Sequence, residues 1–238
     1  MFISPNLRRL FVLFGDTVPV IVRYDDPVNS SFASNAPPPS VAIGQPNTTQ
    51  ITFTTASRSS IGISPSSIWV DTLGTLWVSD SQSNRILWWD SAETATTSGL
   101  NATGVLGQTS FLAIGGGITQ STFKAPTGIF REERAGVDIL WVADSENNRF
   151  SFLFLFSLPP QLIVVLMVLY IRVLGFDFLV TPKATGMNAT YVLGQKDFFS
   201  ASAGSSSSLF ATPEAVFGDG KGGLFVADPG NHRVVSNL

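Results

Sequence analysis

Three carboxylate and guanidinium pairs at fixed spacing are the residues of this chain best placed to do chemistry. They are Asp80 with Arg85, Asp144 with Arg149 and Asp228 with Arg233, each Arg five positions after its Asp. Such groups can move protons, hold an anion or ligate a cation. Their recurrence points elsewhere. A catalytic group is needed once, whereas a turn staple is needed in every repeat. An Asp at a strand end accepts backbone N–H bonds in the turn that follows. An Arg soon after it can fork to carboxylate or carbonyl oxygens between strands. These six residues are therefore expected to be structural repeat turns. No catalytic, cofactor-binding or metal-binding residue is expected, and the chain is read as non-enzymatic.

The remaining reactive groups support that reading. His232 is the only histidine, so a multi-His metal site cannot form within the chain, and no spacing identifies a partner for a Ser-His-Asp relay. Cysteine is absent, which excludes disulfides, thiolate metal sites and Cys catalysis together. Residues 217–223, Phe-Gly-Asp-Gly-Lys-Gly-Gly, resemble a phosphate loop only superficially. A phosphate loop needs Ser or Thr after the Lys and a helix N-terminus facing the anion; here Gly222 and a strand follow, so a hairpin turn is expected. Gly115 to Gly117 read as a flexible loop. The sequons at Asn29, Asn47, Asn101 and Asn188 would accept glycans in a secreted chain. Asn101 and Asn188 hold the same place in the repeat, however, where a turn-forming Asn serves as well.

The 238 residues carry a net charge of −3 and 13% charged residues. Such a chain can bury a core and has no electrostatic bias toward nucleic acid, so no nucleic-acid partner is expected. The N-terminal apolar patch after Arg8 and Arg9 ends at Gly15 and Asp16, shorter than a signal-peptide core.

The elements that must position the Asp and Arg residues form a repeat. Residues 65–90, 126–149 and 213–235 share one grammar: Pro, a short apolar strand, a Gly or polar turn, then Leu, an aromatic and Val leading into the Asp. Upstream a Gly-Gln pair recurs at 44–45, 107–108 and 194–195, followed by a Phe-containing polar loop. Gly107 to Pro126 and Gly194 to Pro213 are both steps of 19, yet Asp80 to Asp144 is 64 and Asp144 to Asp228 is 84. The excess lies in residues 150–172. Removing those 23 residues joins Arg149 to Val173, brings the long step to 61 and restores the pattern of the first unit.

The preferred explanation is a translated, unspliced intron whose removal would fuse two Arg codons into one. The alternatives are a transmembrane helix and an unusual insertion. Residues 150–171 are 22 uncharged, mostly apolar positions, about the length of a span. Pro159 and Pro160 would break such a helix near its middle, and a span would put the halves of one sheet on opposite sides of the bilayer. A membrane contact is expected only if this stretch is a genuine span.

The strands before the three Asp residues are apolar at every position, Leu-Trp-Val, Leu-Trp-Val and Leu-Phe-Val. Neighbouring side chains on a strand face opposite ways, so both faces of that sheet must be covered. Helical periodicity is missing from the repeat. Four short strands per unit, with the Gly-Gln strand as an outer or linking fourth, predict an all-β chain built as a β-propeller. Trp69, Trp77, Trp88, Trp89 and Trp141 are expected in blade cores.

The Pro-x-x-Ile/Val, Leu/Val-Trp/Phe-Val-Ala/Ser-Asp and Asn-x-Arg-Ile/Val elements, with Asn-His-Arg-Val at 231–234, resemble NHL repeats. The Val-Leu-Gly-Gln-x-x-Phe cassette is similar to that of long-loop NHL proteins. The resemblance covers about residues 41–149 and 173–235 and implies an incomplete propeller of four-stranded NHL-type blades, interrupted by one apolar insertion. NHL propellers close with about six blades; three units are clear here, with a blade remnant in residues 20–25. The expected organisation is an N-terminal segment (1–40), NHL-type blades (41–149), the insertion (150–172) and a truncated blade (173–238).

By resemblance such propellers are recognition or sensor domains, so a module binding a protein, peptide or glycan through its loops is expected. One alternative is a fragment of a six-bladed hydrolase or lyase with metal ligands in missing blades; another is the ectodomain of a membrane-anchored sensor. No cofactor is expected, and an extracellular or membrane-associated place is favoured.

Overall fold

The Leu-aromatic-Val segments form the second strand of consecutive antiparallel sheets, and the chain is all-β. A computed structural model describes residues 2–3, 9–14, 19–25, 38–49, 56–62, 64–90, 92–146, 149–150, 167–168 and 172–236. The first sheet contains β1 (Phe2–Ile3), β2 (Leu10–Phe14), β3 (Val20–Tyr24) and β4 (Val41–Ile43). The second contains β5 (Pro65–Val70), β6 (Leu76–Asp80), β7 (Arg85–Trp89) and β8 (Gly104–Leu106). In the third, β9 (Pro126–Arg134) and β10 (Val137–Asp144) come first. A two-residue ladder of β11 (Arg149–Phe150) and β12 (Met167–Val168) stands apart, and β13 (Arg172–Asp177) and β14 (Tyr191–Leu193) complete the sheet. The fourth has β15 (Ala215–Gly218), β16 (Leu224–Asp228) and β17 (Arg233–Ser236). Among the described residues there is no α-helix.

The second and third sheets each bury one face against the sheet before and the other against the sheet after. Strand β6 is therefore buried at all five positions. Phe11, Ile21 and Ile43 of the first sheet meet Ile68, Leu76 and Leu87 of the second. Trp77, Ile86 and Trp88 meet Ile129, Val142 and Leu174 of the third, and Phe130, Trp141 and Val173 meet Val216 and Val226 of the fourth. Strand β9 lies between β5 and β15, so the first strands of the last three sheets are neighbours. Trp77, Trp88, Trp89 and Trp141 are buried, while Trp69 is half-buried and edge-on to Phe130 at 5.1 Å.

The third sheet corrects one expectation from sequence. Asp144 faces Arg172 across the β10–β13 ladder, in the register that Asp80 has with Arg85 and Asp228 with Arg233. Arg172, not Arg149, is thus the repeat Arg, and residue 172 belongs to the sheet rather than to the insertion. Side-chain volume explains the choice. In the second sheet Trp77, Trp88 and Gly104 are cross-strand neighbours; in the third the same places hold Trp141, Gly175 and Tyr191. Trp141 and Tyr191 stack at 5.9 Å, and a Cβ on Gly175 would lie 2.7 Å from the Trp141 ring. A third strand begun at Arg149 would set Phe152 where Gly175 stands and Ser151 where Leu174 fills the core. Overpacking and a lost core side chain both disfavour it.

The first sheet is fuller than a remnant, and β3 pairs with β4 across the boundary expected at residue 40. Its repeat signature is hidden because Phe14 and Val20 face each other where the later sheets have Asp and Arg. Among the described residues no helix is long and apolar enough to cross a membrane. Most of the apolar stretch, residues 151–166 and 169–171, lies outside the described residues.

Candidate functional site

The three Asp–Arg pairs sit at the same end of their sheets, and each is consumed by backbone. Arg85 Nε donates to Asp80 Oδ2 at 2.7 Å, Arg172 Nε to Asp144 Oδ2 at 2.8 Å and Arg233 Nε to Asp228 Oδ2 at 2.9 Å. The other carboxylate oxygen accepts from the backbone N–H of Gly62, Lys124 or Ala211 in the loop leading into the sheet. The guanidinium nitrogens reach carbonyls of the same loop: Ser57 and Ser60, Thr119 and Thr122, Ser206 and Leu209. In the second and third sheets Nη1 also donates to the carbonyl of the cassette Phe, Phe111 or Phe198. Groups engaged this way tie loops to sheets rather than face a substrate.

The Gly-Gln cassette has an equally structural basis. Gly44, Gly107 and Gly194 have φ of 80°, 82° and 78°, and a Cβ would meet Ile61, Phe123 or Phe210 within 2.6 Å. Only Gly fits both conditions. Gln45 Nε2 then donates to the Pro19 carbonyl at 2.9 Å and Gln108 Nε2 to that of Asn84 at 2.9 Å, clipping the fourth strand to the hairpin of its own sheet. The recurrence of the pair is visible in sequence but this bond is not, because the acceptor is backbone and carries no residue signature.

Burial pushes the Asp144 carboxyl up to about 6, against the opposing charge of Arg172 and the Lys124 N–H. A carboxyl raised above its unfolded value stabilises the fold fully below about pH 3, where both states are protonated. That contribution is lost as pH rises through about 6. The expected loss between pH 4 and pH 7.5 is about 2 kcal/mol. Urea unfolding of the chain and of Asp144→Asn across this range checks it: the wild-type stability should fall relative to the variant with rising pH, and a relative rise would refute the sign.

At the same end the sheets are clasped by hydroxyls. Ser66, Ser79 and Ser81 donate to the Pro126 carbonyl of the next sheet, and Thr127 and Ser145 to that of Pro213. Beside these clasps opens a cleft of about 410 Å³, walled by Ser67, Thr127, Gly128, Thr212 and the exposed Glu146 and Glu214. Farther out, the cassettes turn through Ser110–Ala113 and Asp197–Ser200 hydrogen bonds. Each turn presents one large apolar side chain to solvent, Leu112 (74% exposed) and Phe199 (66%). These residues were not singled out from sequence; their shared signal is the position after the cassette Phe.

The opposite end of the sheets is built differently. Asp71 Oδ1 accepts from Leu73 and Thr75 N–H, and Asp219 Oδ1 from Lys221 and Gly223 N–H. The glycine-rich segment 217–223 is therefore the hairpin between β15 and β16. Arg131 bridges the second and third sheets, pairing with Asp71 at 2.5 Å and with both oxygens of Asp138, under the Trp77 and Phe178 rings. Asn101 and Asn188 are exposed in loops between third and fourth strands, also at this end. Asn47 accepts from Thr49 within its own sequon, and Asn29 lies outside the described residues. His232 is exposed with φ of 52° in a turn. Among the described residues no group of three His, Asp or Glu could hold a metal ion. No family model matches the chain, and no curated protein matches it either.

Proposed function

We propose that the four sheets are blades of an NHL-type propeller and that the chain is a recognition module binding a protein or peptide at the cleft end. One observation carries this reading: the repeated polar residues are spent on staples, while the same end holds an open cleft and, farther out, two exposed apolar turn tips. Rigid sheets presenting variable loops are a common basis for binding, and exposed apolar side chains beside a groove mark contact surfaces. The exposed sequon residues Asn101 and Asn188 stand at the other end, so glycans there would leave the cleft open.

Selection of displayed random peptides against the full chain tests the proposal. Enriched peptides should bind about tenfold more weakly to Leu112→Ser/Phe199→Ser. They should bind unchanged to Leu73→Ser, an exposed residue of the opposite end. No enrichment, or loss confined to Leu73→Ser, would contradict it.

A further inference from the structure

Between the second and third sheets, at the end opposite the cleft, a lysine sits in an aromatic corner. Lys183, in the loop between β13 and β14, lays its ammonium 5.2 Å from the centre of the Trp77 ring and 5.6 Å from that of Trp88, and pairs with Asp90 Oδ1 at 2.5 Å. The two indoles are buried, 5.4 Å apart and inclined at 31°, so they form adjoining walls. The Lys183 and Asp90 side chains are 25% and 43% exposed, so the corner meets solvent. Trp88 serves here through its ring alone. Among the described residues its buried N–H has no hydrogen-bond partner, a cost that Phe would avoid, whereas an indole face attracts a cation more strongly than a phenyl ring does. The other cation on Trp77, Arg131, is committed to Asp71 and Asp138.

The loop that carries Lys183 is held without it. Gly186 N–H donates to the Val105 carbonyl, and Val105 N–H to Thr185 Oγ1. One sheet earlier the same two bonds recur, from Gly99 N–H to the Ala42 carbonyl and from Ala42 N–H to Ser98 Oγ, with Thr96 in the place of Lys183. Lys183 can therefore leave without releasing the loop. Its ammonium is also an imperfect match to the corner. It has three N–H donors; one reaches Asp90, and the ring faces offer the others no comparable acceptor. A dimethylammonium keeps one N–H for the carboxylate and turns two methyl groups to the two rings.

We infer that Trp77, Trp88 and Asp90 form a recognition site for a dimethylated lysine side chain, with Lys183 as its resident, displaceable occupant. The unmethylated ammonium is strongly hydrated, so the methylated form gives up less water on entering the corner. Lys183 competes from within the chain at an effective concentration of about millimolar order, which keeps the parent's affinity low.

The test titrates the full chain with Nα-acetyl-Nε,Nε-dimethyllysine amide and follows the indole N–H resonances of Trp77 and Trp88 by NMR. In Lys183→Ser, saturable shifts of both indoles are expected below about 10 mM, with affinity about tenfold above the parent's. Adding Asp90→Asn should weaken binding about fivefold. The unmethylated lysine amide should bind about fivefold more weakly, and the uncharged Nε-acetyl analogue should not bind. No saturation in Lys183→Ser, equal affinity in parent and variant, or indifference to Asp90→Asn or to the methyl groups would each overturn the inference. So would a Lys183→Ser chain without a cooperative urea transition, because Lys183 would then be part of the fold and not an occupant.

Discussion

Replacing Arg172 by alanine is expected to destabilise the chain by about 3–5 kcal/mol, the cost of leaving a buried charge without its partner. Asp144 is fully buried, and its two oxygens accept from Arg172 Nε and Lys124 N–H. Loss of the guanidinium also strands the carbonyls of Thr119, Thr122 and Phe198, which it joins across two loops. Arg149→Ala should cost less than about 0.5 kcal/mol, as for a residue outside the packed sheets. Denaturant unfolding of the two variants separates them. Equal effects, or a larger effect at Arg149, would place the wrong Arg in the third sheet.

Gly194→Ala is expected to cost about 2–5 kcal/mol. Its φ of 78° is a left-handed conformation that an L side chain adopts at a penalty of about 1–2 kcal/mol. The new Cβ would also lie 2.0 Å from the ring of Phe210, which is itself fully buried, and overpacking adds about 1–3 kcal/mol. Gly136 provides the control. Its φ is 75°, but nothing lies within 4 Å of its Cβ position, so alanine there should show the backbone penalty alone. If both variants lose the same stability by thermal or urea unfolding, the ring contact contributes nothing.

The recurring features of the fold were readable because they depend on side chains at fixed steps. Apolar residues on both faces of β6, the Asp–Arg spacing and the Asp219 hairpin all leave such a trace. The first sheet was not fully readable, since Phe14 and Val20 replace the staple and Arg23 stands in the place of Trp88. That Arg is 2% exposed and donates to the Ala92 and Ala95 carbonyls in the loop after β7. An apolar sheet face carrying one Arg does not look like its neighbours in sequence. Arg149 and Arg172 could not be told apart by spacing, because either restores the repeat. Only the exchange of bulk between Trp88 with Gly104 and Gly175 with Tyr191 decides between them. The cleft and turn tips were illegible for another reason: they arise where loops from different sheets meet, and their acceptors are mostly carbonyls.

The central claim is that β13, begun at Arg172, follows β10 directly in the third sheet. Of the 23 residues 149–171 only Arg149–Phe150 and Met167–Val168 are described, and these pair with each other rather than with the four sheets. Deleting those 23 residues leaves the four-residue turn 145–148 between Asp144 and Arg172, as residues 81–84 join Asp80 to Arg85. Shortening the connection from 27 residues to four reduces the entropy lost on closing it by about 1.5 kcal/mol. Urea unfolding of the deletion variant is therefore predicted to show one cooperative transition at higher stability than the parent. A variant that fails to fold, or that loses several kcal/mol, would show that the apolar stretch is an integral part of the sheets.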